Sequence, residues 1–125
     1  MKTSSTGVLG EQETARWLRE RGFRILAANY RTPVGEIDII ASNDKYICFV
    51  EVKTRQEGGL LPPNTAVDSK KRSRIVRSAS LYLSSNPSTL QPRFDIAEVL
   101  MNDGRTKALN YIENAFSTEG TNAYF

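Results

Sequence analysis

Gly35-Glu36-Ile37-Asp38-Ile39-Ile40, followed shortly by Phe49-Val50-Glu51-Val52-Lys53, decides how this chain folds. Ile, Val and Phe dominate both stretches, as suits a pleated, half-buried surface, and both read as core β-strands. Each still carries charge at its middle, where burial is costly unless a partner compensates it. Side chains alternate along a strand. Glu36, Asp38 and Ile40 therefore share one face of the first, and Ile47, Phe49, Glu51, Lys53 and Arg55 share one face of the second. If the connection spans the four residues Asn43 to Tyr46, Asp38 and Glu51 become direct antiparallel partners. A three-residue turn without a bulge would send them to opposite faces.

Working outward, Gly7 to Arg21 carries Val8, Glu11, Ala15 and Leu18 at helical spacing, which predicts an amphipathic helix ended by Gly22. Glu11 is the odd member of that stripe: a carboxylate facing the core either reaches the rim or meets a partner inside. Phe23 to Tyr30 reads as a first strand, Thr32-Pro33-Val34-Gly35 as a turn, Glu36 to Ala41 as the second strand and Tyr46 to Arg55 as the third. Gly58, Gly59, Pro62 and Pro63 then mark a loop of roughly ten residues, longer than most connections and expected to be mobile or functional. Val67 to Ser85 reads as a second helix with Ile75, Val76, Ala79, Tyr82 and Leu83 on its apolar side and Lys71 one turn upstream. Arg93 to Leu100 and Lys107 to Glu113 are the last strands, joined through the hairpin signal Asn102-Asp103-Gly104. The order αβββαββ predicts an α/β fold with a mixed five-stranded sheet flanked by helices. No repeat or linker interrupts it, so residues 1–116 read as a single domain and 117–125 as a flexible tail.

The chain of 125 residues is long enough for one well-formed core and too short for two. No apolar run approaches a membrane span, and the start Met1-Lys2-Thr3-Ser4-Ser5-Thr6 lacks an apolar signal core, so no membrane association is expected. The single Cys48, within a core strand, suits a reducing cytoplasm. The sequence contains no histidine, which removes Ser-His-Asp and Cys-His catalysis and His-ligated zinc together. Catalysis would have to run on carboxylates, lysines, hydroxyls and hard, oxygen-ligated metals.

Net charge is only +3, but its distribution is uneven. Lys70, Lys71, Arg72, Arg74 and Arg77 concentrate positive charge on the second helix, a patch suited to phosphates or, equally, a solvated helix face. Trp17, Tyr30, Tyr46 and Tyr82 form no cluster with that run and read as core or edge aromatics rather than base-stacking platforms.

Two carboxylates as close as Asp38 and Glu51 repel one another, and a divalent cation relieves that repulsion. Oxygen donors without soft ligands suit Mg²⁺ or Mn²⁺, and the main-chain carbonyl of Val52 is a further donor within reach. Lys53, beside Glu51, is suited to orienting or deprotonating an attacking water and to screening charge that develops on phosphorus. On the strand pattern alone a solvated acid pair at a sheet end fits as well. Glu11 on a core-facing stripe adds a third acid. Glu36 reads either as a supporting carboxylate behind the site or as a partner for Arg31 or Arg55. Asp95 reads as satisfying a neighbouring Lys or Arg.

Gly10-Glu11 with Ala15, the Gly35–Ile40 run, Phe49-Val50-Glu51-Val52-Lys53-Thr54-Arg55, Val67-Asp68 with Lys71, Arg93-Phe94-Asp95 and Asn114-Ala115-Phe116 together resemble the YraN family of bacterial proteins, from Gly7 to Phe116. That family is similar in turn to the restriction-endonuclease-like PD-(D/E)xK nucleases, including archaeal Holliday junction resolvases. The resemblance implies a restriction-endonuclease-like α/β/α sandwich with Asp38, Glu51 and Lys53 in the D…ExK positions. It also implies that Glu11 helps hold the metal or its water and that Lys71 points toward the site from the second helix. Ile37 stands where the superfamily's name expects proline. The implied activity is metal-dependent cleavage of structured, branched or single-stranded DNA. Lys70, Lys71, Arg72, Arg74, Arg77 and Arg55 are the candidate nucleic-acid contacts, and a homodimer is the expected assembly. A nucleic-acid-binding module that keeps the fold without turnover is the alternative, and a structural subunit of a larger assembly a third.

Overall fold

The computed structural model describes residues 5–58 and 67–118. The elements run α1 (Ser5–Glu20), β1 (Arg24–Thr32), β2 (Gly35–Ser42), β3 (Tyr46–Gln56), α2 (Ser69–Ser85), β4 (Gln91–Asn102) and β5 (Arg105–Phe116). This is the predicted order αβββαββ. The five strands form one mixed sheet in the order β1-β2-β3-β4-β5. Neighbours are antiparallel except β3 and β4, which run parallel from Tyr46↔Gln91 to Gln56↔Met101. A parallel pair needs a crossover, and α2 lies within it. Residues 59–66 of that crossover, which hold Gly59, Pro62 and Pro63, lie outside the described residues, as do residues 119–125 of the C-terminal tail.

The two helices take opposite faces of the sheet. Leu18 of α1 is fully buried against Ile39, Ala41, Cys48, Val50 and Ala97, a burial worth about 1.5–3 kcal/mol. Ile75, Val76 and Ala79 of α2 close the other face over Ile37, Ile40, Ile47, Phe49 and Phe94. Cys48 is buried, and its thiol is pushed up to about 12, first by burial and then by the charge of Asp95. Tyr30 and Phe49 meet Tyr82 edge-on, and Trp17 stacks on Tyr111 with ring centres 4.5 Å apart, so these aromatics belong to the core and its margins.

The packed stripe of α1, the start of α2 and the length of the last hairpin differ from the sequence reading, each for a local reason. Val8 is 45% exposed, while the closely packed stripe of α1 is Gly10, Thr14 and Leu18. A side chain on Gly10 would place its Cβ 2.0 Å from Thr54 Oγ1, so the helix reaches β3 only because Gly10 has none. Thr14 satisfies its buried hydroxyl by donating to the Gly10 carbonyl. Helix α2 begins at Ser69, because the Asp68 carboxylate accepts from the Lys71 N–H and caps it. The β4–β5 hairpin is longer at both ends than Arg93–Leu100 and Lys107–Glu113. Asp103 and Gly104, at φ 51 and 75, make the tight turn, which suits a twisted two-residue hairpin.

Asp95 serves the fold. Fully buried on β4, it accepts from Arg93, from the Tyr111 hydroxyl at 2.6 Å and from the Asn114 N–H at 2.9 Å. Arg93 also lies over the Tyr46 ring, 4.6 Å from its centre. This network holds the irregular end of β5, where Asn114 takes φ 53.

Candidate functional site

Strands β2 and β3 pair from Ser42↔Ile47 to Ile39↔Val50. That register is the one a four-residue connection predicts, and the pairing ends at Ile39↔Val50, one residue short of Asp38 and Glu51. The Asp38 side chain fills the next rung: its Oδ2 accepts from the Val52 N–H at 2.8 Å. In an extended strand the N–H and C=O of one residue point to the same side, so the Val52 carbonyl also faces β2. Ile37 and Ile40 both pack on the α2 side while Ile39 and Ala41 pack on the α1 side. Strict alternation therefore lapses at Asp38, and the shared face expected for Glu36, Asp38 and Ile40 is interrupted there.

The Asp38 and Glu51 carboxyl groups lie close enough for each to feel the other's charge. Burial first, and then the Glu51 charge, push the Asp38 carboxyl up to about 7, against the lowering effect of the Val52 N–H. Near neutrality the pair thus tends to hold a proton unless another cation replaces it.

Lys71 provides one such cation. Its ammonium sits 2.5 Å from Glu51 Oε2, with the Glu51 side chain only 6% exposed. Burial lowers the Lys71 pKa, but the hydrogen bond to Glu51 and the charges of Glu51, Asp38 and Asp68 outweigh it and leave it above its ordinary value. The Asp68 cap fixes the helix start from which Lys71 reaches across to β3.

Glu11 arrives from the other face of the sheet, carried on the turn of α1 that Gly10 seats against Thr54. Burial raises its pKa, a hydrogen bond with Asn29 lowers it, and the nearby charges of Glu36 and Glu51 raise it again. Glu11, Asp38 and Glu51 therefore feel one another's charge.

Above the acids opens a cleft of about 750 Å³. Glu36, Asp38, Glu51 and Asp68 line it together with four cations, Arg31, Lys70, Lys71 and Arg74. Its wall is built by close approach of α2 to the β1–β2 turn. Thr32 Oγ1 takes the Val34 and Gly35 N–H groups and lies 3.0 Å from Ser78 Oγ. A Cβ on Gly35 would come within 3.0 Å of the Arg74 Cβ. Arg31 also lies 3.9 Å from Glu36 on the exposed rim, one of the two roles open to Glu36.

The other candidates are spread more widely. Lys53 and Arg55 line a smaller groove of about 210 Å³ with Glu98, Leu100 and Asn110. Arg55 Nη2 is buried there without a hydrogen-bond partner. Arg72 donates from Nε to the Val67 carbonyl at 2.7 Å and lies 5.5 Å from the Phe116 ring centre, so it supports the fold. Arg77 is exposed and does not line the cleft. Asn29 near Glu11, and Arg31 as a cleft-lining cation rather than only a partner of Glu36, are additions from the structure. Neither stands in a charge run or an acid motif, although Asn is a residue type that tolerates unusual backbone.

Among the described residues, no group of three or more Asp, Glu, Cys or His side chains converges as a ready-made cage for an ion. The donors present fit a hard cation of the Mg²⁺ type even so. Such ions are commonly held by one or two carboxylates and keep waters or phosphate oxygens in their remaining positions. Asp38, Glu51 and the Val52 carbonyl provide that kind of set.

Fold and cleft together define a small α/β domain with a buried acid pair beneath a cationic rim. The chain matches the model of uncharacterised protein family UPF0102 over residues 10–99, and it belongs to that family. It is 45% identical over 113 residues to a UPF0102 protein of Alkaliphilus oremlandii, covering 88% of this chain and 96% of the relative. A UPF0102 protein of Caldanaerobacter subterraneus is 43% identical over 115 residues, with 90% and 94% covered. One of Dictyoglomus thermophilum is 41% identical over 118 residues, with 93% and 100% covered. Among the described residues, no helix is long and apolar enough to cross a membrane.

Proposed function

We propose that this protein is a metal-dependent endonuclease of the PD-(D/E)xK type, hydrolysing phosphodiester bonds in structured, branched or single-stranded DNA. The observation that carries this reading is that Asp38 and Glu51 line one cleft together with Arg31, Lys70, Lys71 and Arg74. Acids that must share charge favour a divalent cation, and cations above them favour a phosphate backbone.

Asp38, Glu51 and the Val52 carbonyl would hold Mg²⁺ or Mn²⁺, with Glu11 supporting it or its water. When bound, the ion supplies Lewis-acid activation of water and charge neutralisation at the phosphate. Arg31, Lys70 and Arg74 hold the nucleic-acid backbone at the rim, and Lys71 keeps Glu51 paired until substrate and ion enter. Lys53 stands two residues beyond Glu51 on β3, where its ammonium can follow the substrate strand toward Arg55. Water attacks phosphorus, one P–O ester bond breaks, and the leaving oxygen takes up a proton. Selection by nucleic-acid shape is the mode expected of this domain. A homodimer would set two such clefts against two strands. The free, buried Cys48 fits a reducing cytoplasm.

One observation favours a second reading, a binding module without turnover. Lys53 lines a groove separate from the Asp38–Glu51 cleft, and Lys71 already neutralises Glu51. A panel of duplex, single-stranded, flap and four-way-junction DNAs, with Mg²⁺ and with Mn²⁺, separates the two. The nuclease reading expects wild type to cut at least one form and Glu51→Ala to cut none. Tight binding with no cleavage of any form supports the binding module.

A further inference from the structure

We propose that the groove beside the cleft is a subsite for one unpaired nucleotide, its flanking phosphates on Lys53 and Arg55 and its base across Leu100 and Ala108. The inference rests on reading the protein as acting on nucleic acid, and it narrows the substrate to strands that present an unstacked base.

Six side chains build the groove as two rungs across three strands. Lys53 pairs with Glu98 and Glu98 with Asn110; Arg55 pairs with Leu100 and Leu100 with Ala108. Phe49, Phe94 and Ile112 lie on the side of the sheet that α2 closes, and alternation from each carries these six residues to the same side. No residue of α2 lines the groove, however. The sheet face that holds Glu51 therefore runs on past the helix, where Ala108 and Asn110 are exposed.

The two directions of this surface differ in chemistry as the two parts of a nucleotide do. Along β3, Glu51, Lys53 and Arg55 follow one another at about 6.6 Å, a step that one extended nucleotide spans. A strand with its scissile phosphate over Glu51 thus meets a cation at each of its next two phosphates. Arg55 Nη2 is shut off from water without a hydrogen-bond partner. Such a nitrogen is costly to leave unmet, and a guanidinium turned onto a phosphate satisfies its donors in pairs.

Across β4 and β5 the floor turns apolar at Leu100 and Ala108. The volume, about 210 Å³, is on the scale of one base and not of a stacked pair. At its edge Glu98 Oε1 accepts from Asn110 Nδ2 at 3.1 Å, which leaves Glu98 Oε2 and Asn110 Oδ1 as acceptors. Acceptors at the edge of a base pocket favour bases that carry an exocyclic amine, cytosine over thymine among the pyrimidines. A base held flat on this floor has left its stack, the mode of single-strand recognition.

The test is fluorescence anisotropy of the whole protein in EDTA, where no cleavage occurs, with labelled oligo(dC) and oligo(dT) of equal length. Wild type should bind oligo(dC) about fivefold more tightly. Glu98→Ala, and Ala108→Leu, which fills the groove, should bind the two alike. Arg55→Gln should weaken both, with the slope of log affinity against log salt lower by about 0.7. A blunt duplex, whose bases stay stacked, should bind Ala108→Leu as it binds wild type, which also reports that the variant is folded. Equal binding of the two oligomers by wild type, or a preference that survives in Ala108→Leu, would overturn the subsite and leave cleavage in the cleft standing. Wild type that binds neither oligomer would overturn the subsite, and failure to bind the duplex as well would overturn the nucleic-acid reading with it.

Discussion

Lys71 on α2 and Glu51 on β3 meet at 2.5 Å, so helix and sheet are joined at the base of the cleft by a single ion pair. The Glu51 carboxylate is almost wholly buried and already faces Asp38; the lysine is half exposed. Removing the lysine strands a buried charge beside a second acid.

Lys71→Ala should therefore destabilise the metal-free protein by roughly 1–2 kcal/mol, below the ~3–5 kcal/mol of a fully buried pair because the ammonium is partly solvated. Urea unfolding in EDTA measures this. Adding Mn²⁺ should recover most of the loss, since the ion takes over the neutralisation of Glu51. A loss that is the same with and without Mn²⁺ would mean that the ion does not reach Glu51.

Asp38 gives the stability a defined pH dependence. Its carboxyl is raised from 3.8 to about 7 in the folded chain, chiefly by burial. Below pH 4 both states are protonated and the group contributes no difference. Between about pH 4 and 7 the unfolded chain releases its proton while the folded chain keeps it, so metal-free stability falls as pH rises and then levels off. Asp38→Asn keeps an acceptor for the Val52 N–H and removes the penalty. It should be more stable than wild type at pH 8 in EDTA, by roughly 2–4 kcal/mol. Mn²⁺ should reverse that order. Below pH 7 the wild-type affinity for Mn²⁺ should also weaken by up to about tenfold per pH unit, because binding displaces the proton.

Gly10→Ala tests how α1 is seated. In an exposed helix this substitution gains about 1 kcal/mol from helix propensity. Here the new Cβ meets Thr54 Oγ1 at 2.0 Å, and the overpacking should turn the gain into a net loss of about 1–3 kcal/mol. Thr54→Ala removes the atom struck, so Gly10→Ala/Thr54→Ala should melt at a higher temperature than Gly10→Ala alone. Failure of that rescue would show that α1 does not approach β3 at this point.

The rim should read out as salt dependence. If Lys70 and Arg74 each neutralise a phosphate, replacing both with alanine should weaken DNA binding in EDTA. The slope of log affinity against log salt should fall by about 1.5–2. Arg72→Ala should leave the slope unchanged, since that guanidinium donates to the Val67 carbonyl.

The central pairing was legible because strand arithmetic is rigid. Asp38 in one apolar run and Glu51 in the next become partners only if the connection spans four residues, and β2 and β3 pair in that register up to Ile39↔Val50. The role of α1 was half legible. Periodicity located Leu18 and flagged Glu11, but it weights large apolar residues and so passed over Gly10 and Thr14, whose smallness is what packs. Which lysine meets Glu51 was not legible in the strand spacing, and only the family resemblance pointed Lys71 toward the site. Lys53 adjoins it in sequence, whereas Lys71 reaches it through the Asp68 cap and the placement of α2, both products of tertiary packing. The left-handed backbone of Asn29, at φ 52 within β1, left no trace in the hydrophobic pattern, because φ is not encoded in apolar spacing. Nor did Arg31 stand out, an isolated cation that becomes part of a rim only when the β1–β2 turn packs under α2.

The most direct measurement is cleavage of an end-labelled DNA panel by wild type and Asp38→Asn, purified side by side, in Mg²⁺ and in EDTA. Wild type should cut a structured or single-stranded member in Mg²⁺ and none in EDTA, and Asp38→Asn should be slower by at least about 100-fold while folded, a loss of some 2.7 kcal/mol of transition-state stabilisation. No metal-dependent cutting by the wild type, or equal cutting by the two proteins, would contradict the assignment of this cleft to phosphodiester hydrolysis.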